Sequence, residues 1–456
     1  MDNNLNLESF GYSQELKKAL SLKDLVIFGI VFMGPVSVMT LFGIMHVTSQ
    51  GHAVLSYLVA FVAMLFTAYS YGEMVTAFPI AGSTYSYTQR AVNPKLGFLS
   101  GWVMILDYVL IPMLLYLISA SFANAIIPQI PIWGWVLIYA IPVTIINLIG
   151  VEVAAKANLI MTIIMFAAVI AFVVLALKYM ITGNVGAGVS MAAIYNKDTF
   201  AFKALVSGSA VAVVSYLGFD AITTLSEETN VGGKKIGLAI MIACLIQTLV
   251  YVIVAFLATL VIPDYNQIAS PDTVFFDIAS KVGGSFLQIF VTVVIMIAGV
   301  GTSLAGQSAA SRLLYGMGRD KVIPEKIFSY LHPKFKTPFN SILFISIIGT
   351  AGALFLDVTT VSELTAFGGL FGFTCVNLSV IVYYYFKNKS GKVVRHLIVP
   401  LLGMCVCVYI LLGLSTISKI VGFTWMGLGV VYLLIRCSLS EDFKKNIASI
   451  NFQQAS

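Results

Sequence analysis

Two acids and two glycine-containing interruptions are the positions in this 456-residue chain that could do chemistry. Asp107 lies deep in the apolar run GWVMILDYVLIPMLLYL, with no basic neighbour in sequence. An acid inside a membrane span costs on the order of 3 kcal/mol even on the gentlest insertion scale, so it needs a partner, water or a ligand. Out of water a carboxylate favours its neutral form, and a cation beside it favours the charged one. Asp107 could therefore bind an ammonium, carry a coupled proton, or sit protonated in a hydrogen bond. Asp220 follows Gly218 and Phe219 in SYLGFDAITTLSEE, where an unwound stretch would set it beside a cavity. Its other role is local, a carboxylate capping the helix that resumes after the break.

Such groups act through the helices that hold them. In lipid every backbone N–H and C=O must be satisfied within its own segment. The first apolar span, 24–46, is interrupted at Gly34-Pro35. Proline removes a donor and frees the carbonyl of Val31, and glycine permits close approach or an unusual backbone angle. A plain proline kink is the bland alternative. Ser37 follows the break and could donate or accept in a cavity. The sixth span, 204–226, is interrupted around Gly218-Phe219-Asp220. Two discontinuous helices five spans apart point to a secondary transporter built from inverted repeats. Spans one to five and six to ten would each begin with a broken helix, with spans eleven and twelve appended.

Composition agrees. Hydrophobic residues make up 59% of the chain and charged residues 10%, against roughly 25% charged in a soluble domain. Crossing about 30 Å of hydrocarbon takes roughly 20 apolar residues. About twelve such spans are predicted, near 24–46, 54–78, 97–126, 132–150, 158–181, 204–226, 237–262, 285–311, 340–356, 363–386, 397–415 and 418–436. With both termini on one side, that side collects 21 of the 26 lysines and arginines, which marks it as cytoplasmic. The net charge of +6 is this loop bias; no basic patch interleaves with stacking aromatics, so nucleic acid is not an expected partner. The polar, acid-bearing N-terminus does not read as a signal peptide.

Near the cytoplasmic end of the sixth span, Glu227 and Glu228 are within reach of Lys234 and Lys235, as a gate or surface ion cluster. Glu73, closing the second span, can meet Arg90 or Lys95, and Pro79 with Gly82 marks a turn after it. Thr302, Ser303, Gln307 and Ser308 suit close helix packing, a cavity wall or a cation site. The connection 312–337 is the longest cytoplasmic one, with a short surface helix expected in MGRDKVIPEKIF. External loops are expected at 183–202 and 263–284, the latter acidic over 264–277. The five cysteines lie in or beside apolar spans, so no structural disulfide is expected. Four histidines near loops form no metal set and no nucleophile–base pair, so neither a metal, a cofactor nor an enzymatic activity is expected.

Three segments, TAFPIAGSTYSYTQRAVNPKLGFLSGW, SYLGFDAITTLSEET and SRLLYGMGRDKVIPEKIF, resemble the amino acid–polyamine–organocation superfamily, and the resemblance runs from residue 22 to about 389. GIVFMGPVSVMTLFG, LDYVLIP and LTAFGGLFGFTCVNLSV look most like its bacterial putrescine importer branch. The resemblance implies an all-α, twelve-span fold with a leucine-transporter-like 5+5 inverted repeat. It also implies uptake coupled to protons. Carried onto this chain, it puts the substrate against Met33, Gly34, Pro35, Val36 and Ser37, and against Tyr216, Leu217, Gly218, Phe219 and Asp220. Asp107 is added from span three, and Phe367 and Phe371 from span ten. Two departures matter. The first break has one glycine and a proline where amino-acid carriers have several glycines, so it offers fewer N–H groups for a carboxylate. Met165 stands where several cationic amino-acid members carry a lysine, which leaves Asp107 as the proton-coupling candidate.

The expectation is thus a multi-pass protein of a bacterial plasma membrane, importing putrescine or a related polyamine by alternating access in symport with H+. The alternative is an amino acid permease of the same superfamily. A non-transporting membrane subunit is a third class, disfavoured by a tail of only twenty residues. The expected parts are a cytoplasmic segment 1–21, a transport core 22–386, helices eleven and twelve in 387–436, and a cytoplasmic tail 437–456.

Overall fold

The computed structural model describes residues 13, 15–182, 191–271, 273–356, 358–440 and 443. Most of the expected cytoplasmic segments 1–21 and 437–456, with Lys444 and Lys445, and the first part of the loop 183–202 lie outside these residues. Within them the chain is helical, and extended pairing is limited to one parallel bridge, Leu20 to Thr229.

Helix α1, Leu22–Met33, starts at a capping box: the Ser21 hydroxyl accepts the Asp24 N–H while the Asp24 carboxylate accepts the Ser21 N–H at 2.9 Å. Such caps contribute about 1 kcal/mol each. After a break comes α2, Ser37–Thr48, then α3, Ala53–Ala77, and α4, Ser83–Ala91. All nine residues of α4 are buried, so the turn after α3 leads into the packed end of the bundle. Helix α5, Pro94–Ile126, is capped by Asn93, whose side chain accepts the Leu96 N–H at 2.8 Å, and has proline at its first position. Next are α6, Ile132–Ile149, α7, Val151–Ile181, and α8, Phe202–Tyr216, which ends at the second break. A tighter 3-10 stretch, Asp220–Glu228, replaces the α-helix expected there, and α9, Gly233–Val261, follows.

Helix α10, Val274–Arg319, is longer than the expected span 285–311 at both ends. It bends at Gly284 (φ 62°, ψ −164°) and runs on through Arg312 and Arg319, which the sequence had assigned to a loop. The surface helix expected beyond it is one turn, α11, Glu325–Phe328. Helix α12, Phe339–Gly352, has 14 residues, about 21 Å, short of the hydrocarbon thickness expected of a full span. Helices α13, Val358–Val380, α14, Val399–Leu412, and α15, Thr416–Leu439, complete the order. Ten helices among the described residues are long and apolar enough to cross a bilayer, and the bent pair α1–α2 makes an eleventh.

Helices α3 and α9 pack backbone to backbone at Gly72 and Gly237, where a methyl on Gly237 would sit 2.9 Å from the Gly72 Cα. Both broken segments lie against this pair, and α5 packs on the other side against α10 and α13.

Candidate functional site

The first break is set by Gly34, at φ +65° and ψ 104°, a conformation closed to other residues. Its N–H donates to the carbonyls of Ile30 and Val31, and the chain turns by 41° between α1 and α2. The freed carbonyls are taken up by side chains from other helices. Val31 O accepts the Thr302 hydroxyl at 2.8 Å. Met33 O lies 2.8 Å from the Tyr251 hydroxyl, with Gly34 O at 3.2 Å and Ser215 O at 2.7 Å. The single phenolic proton can therefore donate to a carbonyl of either broken segment. The same oxygen accepts from Ser37 Oγ and Gln247 Nε2, each at 3.0 Å. Tyr251 is fully buried and joins the two breaks, and sequence reasoning missed it. Gln247 and Tyr251 stand at i and i+4 on one face of an apolar helix, a usable signal.

At the second break, Leu217 is extended (φ −57°, ψ 132°) and Gly218 has φ +115°. Gly218 seats on the Phe32 ring: a methyl there would lie 2.5 Å from a ring carbon. Asp220 is buried and accepts the Gly218 N–H at 3.3 Å and the Tyr108 hydroxyl. It clasps the turn at the start of the 3-10 stretch. Tyr216 directs its hydroxyl to Thr248 Oγ1 at 3.2 Å. Phe219 packs on Tyr71 and Phe373, with ring centres 5.7 and 5.1 Å apart.

A cavity of about 80 Å³ opens between α2, α5, α8 and α10. Of the expected contact residues, Met33, Gly34, Val36, Ser37 and Leu217 line it, whereas Pro35, Tyr216, Gly218, Phe219 and Asp220 do not. Its wall is mostly aliphatic, with Ile111, Leu114, Leu115, Ile118 and Ile295, and its hydroxyls come from Ser37, Thr40, Ser119 and Thr302. Asp107 lies off this wall, one helical turn along α5 from Ile111. It is fully buried, and neither carboxylate oxygen has a hydrogen-bond partner among the described residues. The charged group acting on it is another acid, Asp220. Span ten meets Asp107 with glycines, Gly368 and Gly369. Turning that glycine face to α5 points Phe367 at Gly422 and Phe423 of α15, while Phe371 is half-buried in the core and off the cavity wall. Met165 is buried in the same core.

Residues 27–433 match the family model for amino acid permeases. The chain belongs to this family. It is 31% identical over 428 residues to the low-affinity putrescine importer PlaP of Escherichia coli K12, covering 92% of this chain and 93% of that one. It is also similar to two proteins of Bacillus subtilis. The methylthioribose transporter is 26% identical over 453 residues (92% and 94% of the two chains), and the branched-chain amino acid permease BcaP 24% over 448 (92% and 93%). The permease is therefore a multi-pass membrane transporter of a small molecule, and its relatives and apolar helices place it in the plasma membrane.

At the lysine- and arginine-rich end, the acids are held by ion pairs other than those read from sequence. Glu228 is held by Arg312, through Nε and through Nη2 at 2.9 Å, and Glu227 by Arg319 at 2.8 and 3.0 Å. Glu227 also accepts the Ala81 N–H at 2.8 Å. The Glu228 carbonyl accepts the N–H groups of Ala19 and Leu20 at 2.9 and 3.0 Å. Lys234 and Lys235 are exposed instead. Glu73 pairs with Arg395 at 2.5 Å, with His396 3.6 Å away, and not with its neighbours in sequence, Arg90 or Lys95.

Proposed function

We propose that this permease imports a small amine, putrescine or a related polyamine, with Asp107 as the counter-charge to its ammonium. The observation that carries this reading is a buried carboxylate with no partner among the described residues, next to a cavity and near a second acid. Such a group needs a proton or a cation, and a transporter's cargo can supply one. The first break supports the same reading. Gly34, Ser37 and Met39 already spend their N–H groups on nearby carbonyls, and Pro35 has none, so few donors remain for a substrate carboxylate. The similarity to a putrescine importer agrees.

In symport one carboxylate cannot hold the ammonium and the coupled proton together. With the amine on Asp107, the proton goes to Asp220, the buried acid whose charge acts on it. Protonation there weakens the clasp on the Gly218 N–H and so loosens the second break. Driven by protons, the two broken helices then rock the site from one face to the other.

A second reading, a branched or other neutral amino acid as substrate, is favoured by the aliphatic wall and by the similarity to BcaP. Uptake of labelled putrescine into proteoliposomes, with and without an inward proton gradient, separates the two. Asp107→Asn should weaken amine binding by roughly 30-fold, the loss of about 2 kcal/mol of charge-assisted contact. Asp220→Asn should bind amine but lose its response to the gradient. Unchanged amine affinity in Asp107→Asn, with uptake competed by neutral amino acids, would establish the second reading.

A further inference from the structure

Asp107 lies off the cavity wall, and Leu217, a wall residue, meets it at Gly369. Leu217 lines the cavity, and its extended backbone comes directly before the positive-φ glycine of the second break. Below it is Gly369 of α13. A methyl at Gly369 would lie 2.5 Å from Leu217 Cδ2 and 3.3 Å from Asp107 Oδ2, so leucine, glycine and carboxylate meet at one point. The next glycine back, Gly368, lets α13 approach the Asp107 backbone, where a methyl would lie 2.7 Å from the amide nitrogen.

We infer that Leu217 is a lid between the cavity and Asp107, seated in a notch that exists because residue 369 is glycine. The lid belongs to the half-helix junction and not to a continuous helix, so a small backbone change at Gly218 swings it. The clasp that fixes Gly218 is Asp220. Opening therefore answers to the same acid that receives the proton. While Leu217 is seated, the site offers an arriving solute only an aliphatic wall and four hydroxyls. Once it lifts, a cationic head reaches the carboxylate and an alkyl chain is left against Ile111 and its neighbours. The lid thus selects solutes with a charged head at the end of an apolar chain. That selection rests on the amine reading of Asp107, whereas the lid itself is a matter of access.

Access can be measured without knowing the substrate. Asp107→Cys is placed in the full chain with Cys405 and Cys437, the two thiols not fully buried, changed to serine. The thiol is then titrated with 2-aminoethyl methanethiosulfonate, which forms a mixed disulfide and releases methanesulfinate. Adding Leu217→Ala should speed labelling at least about tenfold, since thiol reactivity follows exposure. Ile111→Cys, already on the cavity wall, should react at the same rate with either residue at 217. Gly369→Ala should shift the Asp107→Cys rate by filling the notch. If Asp107→Cys does not fold, the comparison is made on native Asp107 with an apolar carbodiimide, reading the N-acylurea by mass spectrometry. Equal rates with and without Leu217 overturn the lid, whatever Asp107 binds. Full amine affinity in Asp107→Asn beside a tenfold labelling contrast leaves the lid standing and removes the amine.

Discussion

At the scale of single residues, the hydroxyl of Tyr251 has the heaviest duty in the protein. It faces carbonyls of Met33, Gly34 and Ser215 and accepts from Ser37 and Gln247, all within 3.2 Å. Its ring is held by Tyr57 and Tyr216, with centres 5.2 and 5.3 Å away. A phenol that can donate to either broken segment is suited to let them move relative to each other without leaving a carbonyl bare at membrane depth. Tyr251→Phe keeps the ring and removes the shared donor. Each buried polar group left unsatisfied costs about 1–3 kcal/mol. The variant should unfold earlier in detergent and transport at least about tenfold more slowly, while binding amine at Asp107 with little change. A variant as fast and as stable as the parent would show that the carbonyls find other donors.

At the scale of elements, the two breaks were legible because glycine beside proline, or glycine beside an acid, has few other uses in an apolar run. What the sequence did not convey is which feature makes the bend. Pro35 draws the eye, yet the backbone bends at Gly34, whose φ of +65° with ψ of 104° no side-chain-bearing residue adopts without strain. Gly34→Ala should therefore cost about 1–3 kcal/mol and abolish uptake, since backbone strain of that order accompanies such angles. Pro35→Ala should cost far less. Thermal unfolding of the two variants ranks them, and the reverse order would return the bend to the proline. Other elements were misread for one common reason, that partners near in sequence are not partners in the fold. Glu227 and Glu228 lie close to Lys234 and Lys235 along the chain, but α10 continues past its expected end and delivers Arg312 and Arg319 instead. Phe367 and Phe371 came from the resemblance, while the contact with Asp107 is made by glycines, whose signal in a sequence is the lack of a side chain.

At the scale of the whole molecule, the site and its closure share the same two elements. Helix α10 lines the cavity with Ile295 and Thr302 and reaches the closed end with Arg312 and Arg319. The 3-10 stretch after the second break begins with Asp220 and finishes with Glu227 and Glu228. Nine residues of that geometry span about 18 Å, so a change at the Asp220 clasp is passed along a short rod to the carboxylates that close the far end. The Arg312–Glu228 pair is buried, and removing one partner of a buried pair costs about 3–5 kcal/mol because the other charge is stranded. Arg312→Ala should thus open this end without touching the cavity. Ser308, whose carbonyl accepts from Arg312 at 2.9 Å, reports on it as Ser308→Cys. Labelling of that thiol from the arginine-rich face should rise at least about tenfold in Arg312→Ala. The exchange Arg312→Glu with Glu228→Arg should restore part of the protection, because the pair is remade in reverse while the Ala19 and Leu20 contacts use only the Glu228 backbone. Protection that survives Arg312→Ala would assign the closure to Arg319, Glu227 and the Ala81 N–H, the second layer of the same end.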